Sequence, residues 1–133
     1  MAGFERVGDC MTVNDLVAAI TSLRGQQYGT DMLMGWINEI EGQVIEEVIN
    51  QAEGYDRIFT PLVYEEDQDR ILSVPERFQD VYINYLLSKI DYFNEETERY
   101  NNDVTMYNAA YDSFAAWFRR MNPAKKTALF TRF

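Results

Sequence analysis

Tyr100-Asn101-Asn102-Asp103-Val104-Thr105-Met106-Tyr107-Asn108-Ala109-Ala110-Tyr111-Asp112-Ser113-Phe114-Ala115-Ala116-Trp117-Phe118-Arg119-Arg120-Met121 is the run that decides the fold. Within it Tyr100, Val104, Tyr107, Tyr111, Phe114, Phe118 and Met121 alternate steps of four and three. That spacing keeps one stripe on one side of an α-helix and matches a heptad seam. A helix of about 25 residues, rising ~1.5 Å per residue, would be nearly 40 Å long. An aromatic stripe of this kind serves core and interface packing better than base stacking, because stacking platforms come with a basic groove.

Upstream, Pro75 suits the first position of another helix, where its missing N–H costs nothing. Phe78, Val81, Tyr82, Tyr85, Leu86, Ile90 and Phe93 form its predicted buried face, and Asn94 is its breaker. The short link after Asn94 folds the two helices antiparallel. Nearer the N-terminus, Thr12 with Asp15 three residues later makes a capping box that opens a helix. Its apolar positions are Val13, Leu16, Val17, Ile20 and Leu23, and Gly25 is a stop. Thr30 or Asp31 opens the next helix, with Leu33, Trp36, Ile37, Ile40, Val44, Val48, Ile49 and Ala52 as its stripe and Gly54 as its end. Gly35 and Gly42 each cost this helix about 1 kcal/mol relative to Ala, which points to another element packing closely there. Between Tyr55 and Val74 the helical period fails. Ile58–Tyr64 and Ile71–Val74 favour extended chain around the acidic tip Glu65-Glu66-Asp67-Gln68-Asp69, so a hairpin or loop is expected. The tip lacks the Gly and terminal Glu of a calcium-binding EF-hand loop, and reads as a solvated turn.

The expectation is therefore a mainly α protein. It is a small four-helix bundle with a long C-terminal helical hairpin and a short β-hairpin or extended insertion between helices two and three. Residues 1–11 read as an N-terminal extension, 12–121 as the helical domain and 122–133 as a C-terminal tail. The 133 residues, 47% hydrophobic and 14% aromatic, are enough for one real core without disulfides or metal. No run of apolar residues reaches membrane-spanning length and no secretion signal opens the chain, so a cytosolic location is expected. The single Cys10 reads as an ordinary reduced thiol.

Composition narrows the functions further. The chain has no histidine and one cysteine, which excludes Ser/His and Cys/His machinery, His-ligated zinc and CxxC pairs. The glycines form neither GxGxxG nor a Walker-type loop. Adjacent acids such as Glu46/Glu47 and Glu95/Glu96 point away from each other on a helix and make poor metal-binding carboxylate pairs. Neither a catalytic residue, a cofactor nor a metal is expected. All 22 acidic residues lie at or before Asp112 with seven of the basic ones, a net −15. The remaining 21 residues carry Arg119, Arg120, Lys125, Lys126 and Arg132, a net +5. An acidic body repels nucleic acid. A small acidic inhibitor that mimics DNA is one reading of that charge, although the basic tail and the scattered acids speak against it.

Met11-Thr12-Val13-Asn14, the run Trp36 to Ile45 and the stretch Val74 to Arg120 resemble the head-tail connector (adaptor) proteins of long-tailed phages infecting Gram-positive bacteria. The likeness covers residues 11–121 and rests on packing motifs: a Pro-led helix, a Tyr-x-x-Tyr-Leu face, and Tyr-Asn-Asn followed by Tyr-Asn-x-Ala-Tyr, ending in Trp and Arg. Two departures stand out. Relatives begin near Met11, and where they often carry Asn-Gly this chain has Asn94-Glu95. The resemblance implies a structural, non-enzymatic subunit of the virion's head-tail junction, made in the host cytoplasm. Such subunits form a ring of about twelve copies under the portal. The ring extends the DNA channel without binding DNA specifically and meets the next neck, or stopper, protein. Expected partners are thus the portal, neighbouring copies and that neck protein.

A closed ring needs two different complementary faces. Tyr92, Ala109, Ala110 and Trp117, outside the main stripes, are the candidates for a subunit interface. Glu65, Glu66, Asp67 and Asp69, with Glu95, Glu96 and Glu98, are candidates for lining the channel, where negative charge keeps DNA from sticking. The tail alternates cations with apolar residues, so Lys125, Lys126, Leu129, Phe130, Arg132 and Phe133 are expected to dock on the portal, aromatics as anchors and cations steering.

Overall fold

The computed structural model describes residues 10–125, and the tail positions Lys126, Leu129, Phe130, Arg132 and Phe133 lie outside them. Five α-helices follow in order: α1 Val13–Arg24, α2 Thr30–Glu47, α3 Tyr64–Asp67, α4 Asp80–Phe93 and α5 Thr97–Met121. The expected capping box forms at α1, with Thr12 Oγ1 accepting from Asp15 N and Asp15 Oδ2 accepting from Thr12 N, both at 3.1 Å. Gly25 ends the helix at φ 72°, a region that favours glycine. The second helix stops at Glu47, short of Gly54. A 3-10 turn at Ile49–Gln51 carries the chain on and still buries Val48, Ile49 and Ala52. Close packing is found at only one of its two glycines. A Cβ on Gly42 would sit 3.4 Å from the Phe59 ring, whereas nothing lies within 4 Å of Gly35.

The insertion differs from expectation: among the described residues it forms no strand. The two β-favouring runs do not pair because each finds other partners. Asn38 grips Leu62 through both amide atoms, accepting from its N–H at 2.8 Å and donating to its carbonyl at 3.1 Å. Asn50 does the same to Arg57 at 2.9 and 2.8 Å. On the far side, Leu72 N–H donates to the Met11 carbonyl and Val74 N–H to the Tyr82 hydroxyl. With those backbone groups satisfied, a hairpin has little left to gain. The acidic tip itself coils into α3, and Asp67 Oδ2 accepts from Val63 N–H at 2.8 Å.

Helices α4 and α5 form the expected antiparallel hairpin. Asn94 caps α4; Glu95 N–H then donates to Tyr92 O and Glu96 N–H to Asp91 O, a Schellman arrangement. Glu95 occupies the left-handed position at φ 59°. The turn is thus as sharp as an Asn-Gly turn, but made by a residue with a Cβ. The seam of α5 meets the core through fully buried Phe114 and largely buried Phe118. Tyr107 and Tyr111 are half-buried at its edge. Met121, predicted as part of the seam, is 64% exposed. Leu23 and Phe93, expected on buried faces, are likewise more than half exposed. No described helix is long and apolar enough to cross a membrane.

Candidate interaction surfaces

The most concentrated polar chemistry lies inside the molecule. Glu41 sits on the apolar side of α2 and is only 4% exposed. Its Oε1 accepts from the Tyr82 hydroxyl at 2.5 Å, and its Oε2 from Ser73 N–H at 2.8 Å and Ser73 Oγ at 2.6 Å. Burial, then the charge and hydrogen bond of Glu41, push the Tyr82 hydroxyl well above the ordinary tyrosine range. A carboxylate with three donors and almost no solvent contact is a structural clasp, tying α2 to α4 through the end of the insertion. A second buried group joins Asp91, Asp103 and Arg24. Arg24 holds Asp91 with two bonds, Nη2 at 2.8 Å and Nε at 3.1 Å. Desolvation, followed by the hydrogen bond and charge of Asp91, raises the Asp103 carboxyl to about 7. Sequence reasoning missed both groups, although Glu41 and Asp103 each stand one helical turn from stripe residues. Among the described residues no cluster of His, Cys, Asp or Glu could hold a metal ion.

At the edge of the core, tyrosine hydroxyls meet the carboxylates of α2. Tyr85 donates to Glu39 at 2.7 Å and Tyr111 to Glu47 at 2.8 Å, while Gln43 donates to the Tyr107 hydroxyl at 3.3 Å. Burial and these carboxylates raise Tyr85 and Tyr111 far above the usual tyrosine range. Tyrosine fits this seam where phenylalanine would not, its ring packed and its hydroxyl reaching the rim.

The predicted site residues are placed as follows. Tyr92 is 61% exposed and Ala109 is exposed, whereas Ala110 and Trp117 pack partly against the core. Glu65, Glu66 and Asp69 are exposed, but Asp67 is partly buried and pairs with Arg70 at 2.9 Å. Glu95, Glu96 and Glu98 are exposed around the first turn of α5, where the helix dipole favours them. The two acidic groups do not merge. Gln68 and Arg70 carbonyls accept from Asn14 and Val13 N–H at the start of α1, while the Asp91–Glu98 corner meets α1 through Arg24 at its end. Twelve helical residues, about 18 Å, separate them. Lys125 is pinned: its N–H donates to Gln51 O at 2.9 Å and its Nζ pairs with Asp56 at 2.7 Å.

Apolar surface remains at both ends of α1. At its end, exposed Phe93 stacks on Trp36 at 5.9 Å beside Tyr92. At its start, Ile58, 91% exposed, and Ile71 flank one depression. A third feature is an open, mainly apolar groove of about 670 Å³ between the insertion and the C-terminal half of α5. Compared with protein-family models, with curated proteins and with solved structures, the chain matches none.

Proposed function

We propose that this chain is a head-tail connector subunit of a tailed phage, acting without chemistry as one member of a ring beneath the portal. The observation that carries the reading is the pair of unlike apolar faces at opposite ends of α1. One is aromatic, Tyr92 with Phe93, and the other aliphatic, Ile58 with Ile71. A heterologous ring contact requires two different faces on each subunit. Ile58 and Ile71, both exposed and lining one depression, give a patch of apolar surface that a neighbouring copy could cover. The sequence resemblance over residues 11–121 supports the same reading, and so does the long α4–α5 hairpin it implies.

On this proposal the portal contact belongs to the tail. The bridge between Ala124 and Ala52, with Glu53 N–H donating to Pro123 O at 2.8 Å, fixes where the tail leaves the body. Residues 126–133 then supply Leu129, Phe130 and Phe133 as anchors and Lys126 and Arg132 as cations. Light scattering of the protein mixed with its cognate portal tests this. The expected result is a stoichiometric ring complex, lost in Ile58→Asp and in a chain ended after Lys125, both keeping the normal melting temperature. Absence of portal binding by the intact protein, with tight binding to a basic nucleic-acid-binding protein instead, would select the DNA-mimic reading.

A further inference from the structure

The groove beside α5 is walled by Tyr55, Leu72, Phe114, Trp117 and Phe118, and it shares Arg57 and Ile71 with the depression beside Ile58. Phe114 and Phe118 belong to the core, so the groove floor is continuous with the protein interior. In a chain of net charge −10, this groove is lined by two arginines, Arg57 and Arg77, and by no acidic side chain. Arg77 lies 4.6 Å over the Trp117 ring, and neither guanidinium has an ion pair among the described residues. The far end of the α4–α5 hairpin has the opposite make-up. Tyr92 and Phe93 are 61% and 53% exposed there, Glu95 and Glu96 line the same hollow, and no cation does.

We infer that a second copy of this chain fills the groove with its α4–α5 corner, with Tyr92 and Phe93 as anchors and Glu95 and Glu96 at the rim facing Arg57 and Arg77. The inference rests on the ring reading and names the two surfaces that meet. Two observations favour this occupant. The faces complement each other in apolar surface and in charge: exposed aromatics meet an apolar floor, and carboxylates without ion pairs meet guanidiniums without ion pairs. The chain also cannot make this contact with itself. Tyr100 beside the corner and Trp117 in the groove stand seventeen residues apart on α5, about 25 Å along one helix. The contact therefore joins unlike faces of different copies, the heterologous kind that a ring repeats. Its rim charges stay in contact with water, so raised salt weakens it.

Two complementary variants of the full chain test the pairing by NMR. Tyr92→Ser with Glu96→Lys disables the corner and leaves the groove; Arg57→Gln with Arg77→Glu disables the groove and leaves the corner. All four side chains are exposed, so both variants should keep the parent's melting temperature. Adding the unlabelled groove variant to the isotope-labelled corner variant should shift the Trp117 indole resonance saturably, less so at high salt, and leave that of Trp36 in place. Adding unlabelled corner variant instead should shift neither. If the groove variant melts early, the unlabelled parent takes its place, since its corner is intact. A Trp117 indole that ignores a copy with an intact corner, or that responds equally to one without, would overturn the pairing. So would an indole that moves only when residues 1–9 or 126–133 are deleted, which would give the groove to an end of the same chain. Portal binding is read separately by light scattering. A portal-bound ring without the Trp117 shift removes the pairing and keeps the ring, whereas the shift without a portal complex keeps the pairing and removes the connector reading.

Discussion

Asp103→Asn offers the sharpest test of the buried charge arrangement. Asp91 is 0% and Asp103 3% exposed, and one guanidinium, Arg24, holds the first of them directly. Two buried carboxylates with one close cation favour a single shared proton, and it resides on Asp103, whose carboxyl is raised from 3.8 to about 7. Between those values the folded protein binds one proton more than the unfolded chain, so stability falls as pH rises. The slope is about 1.4 kcal/mol per pH unit, on the order of a few kcal/mol over the whole window. Asp91 runs the other way: Arg24 lowers its carboxyl, and the stability it contributes is lost only in more acidic solution, below the Asp103 window. Asparagine at 103 keeps a donor toward Asp91 and does not titrate. Thermal unfolding followed by circular dichroism from pH 4.5 to 8.5 should therefore show the variant close to the parent at the acidic end. At pH 8 it should be more stable by a few kcal/mol, each worth about 3–5 °C in a domain of this size. Parallel curves for the two proteins, or a variant less stable at pH 8, would refute the shared-proton arrangement.

Three further substitutions probe the frame. Phe114→Ala removes a fully buried ring from the α5 seam, and should cost about 3–5 kcal/mol in denaturant unfolding. Glu95→Gly relieves the left-handed strain at φ 59° and should raise stability by about 1 kcal/mol; a lower melting temperature would show that the Glu95 side chain contributes something the turn needs. Tyr82→Phe leaves Glu41 short of one donor and the Val74 N–H without its acceptor, a loss of about 1–3 kcal/mol for each group left unpaired. An unchanged unfolding midpoint for Tyr82→Phe would mean that water replaces the hydroxyl.

Much of the helical frame was legible because it is written in periodicity. The α1 capping box, the Gly25 stop, the Asn94 break and the buried pair Phe114 and Phe118 all follow from spacing and cap chemistry. The insertion was not legible for a specific reason. Ile58–Tyr64 and Ile71–Val74 have strand-like composition, but Asn38 holds the backbone of Leu62, Asn50 holds that of Arg57 just before the first run, and Met11, Glu41 and Tyr82 hold the second run, distant residues whose reach no local pattern encodes. Polar residues in helix sequences are ordinarily read as solvated, so Glu41, Asp91 and Asp103 passed as surface acids. Their burial depends on Ser73, Tyr82 and Arg24 arriving from other elements.

That engagement changes what the net charge can do. Glu41, Asp91 and Asp103 are interior, and Glu39, Glu47, Asp56 and Asp67 are tied to tyrosines or cations. Among the candidates for a channel lining, Glu65, Glu66, Asp69, Glu95, Glu96 and Glu98 carry no ion pair or side-chain hydrogen bond among the described residues, and their charge is open to solvent. They form two groups at the ends of α1, about 18 Å apart. In a ring, both groups can line the lumen where α1 lies parallel to its wall, as two stacked acidic collars if α1 runs along the channel axis. If α1 points along a radius, one group faces DNA and the other faces outward. Neutralising each group in turn, Glu65→Gln with Glu66→Gln and Asp69→Asn against Glu95→Gln with Glu96→Gln and Glu98→Gln, distinguishes the two orientations. Assembled rings should gain salt-sensitive retention of duplex DNA from both sets in the first orientation and from one set in the second. Gain from neither would remove the electrostatic role of these acids altogether, because a lumen that repels DNA through them must lose that repulsion with their charge.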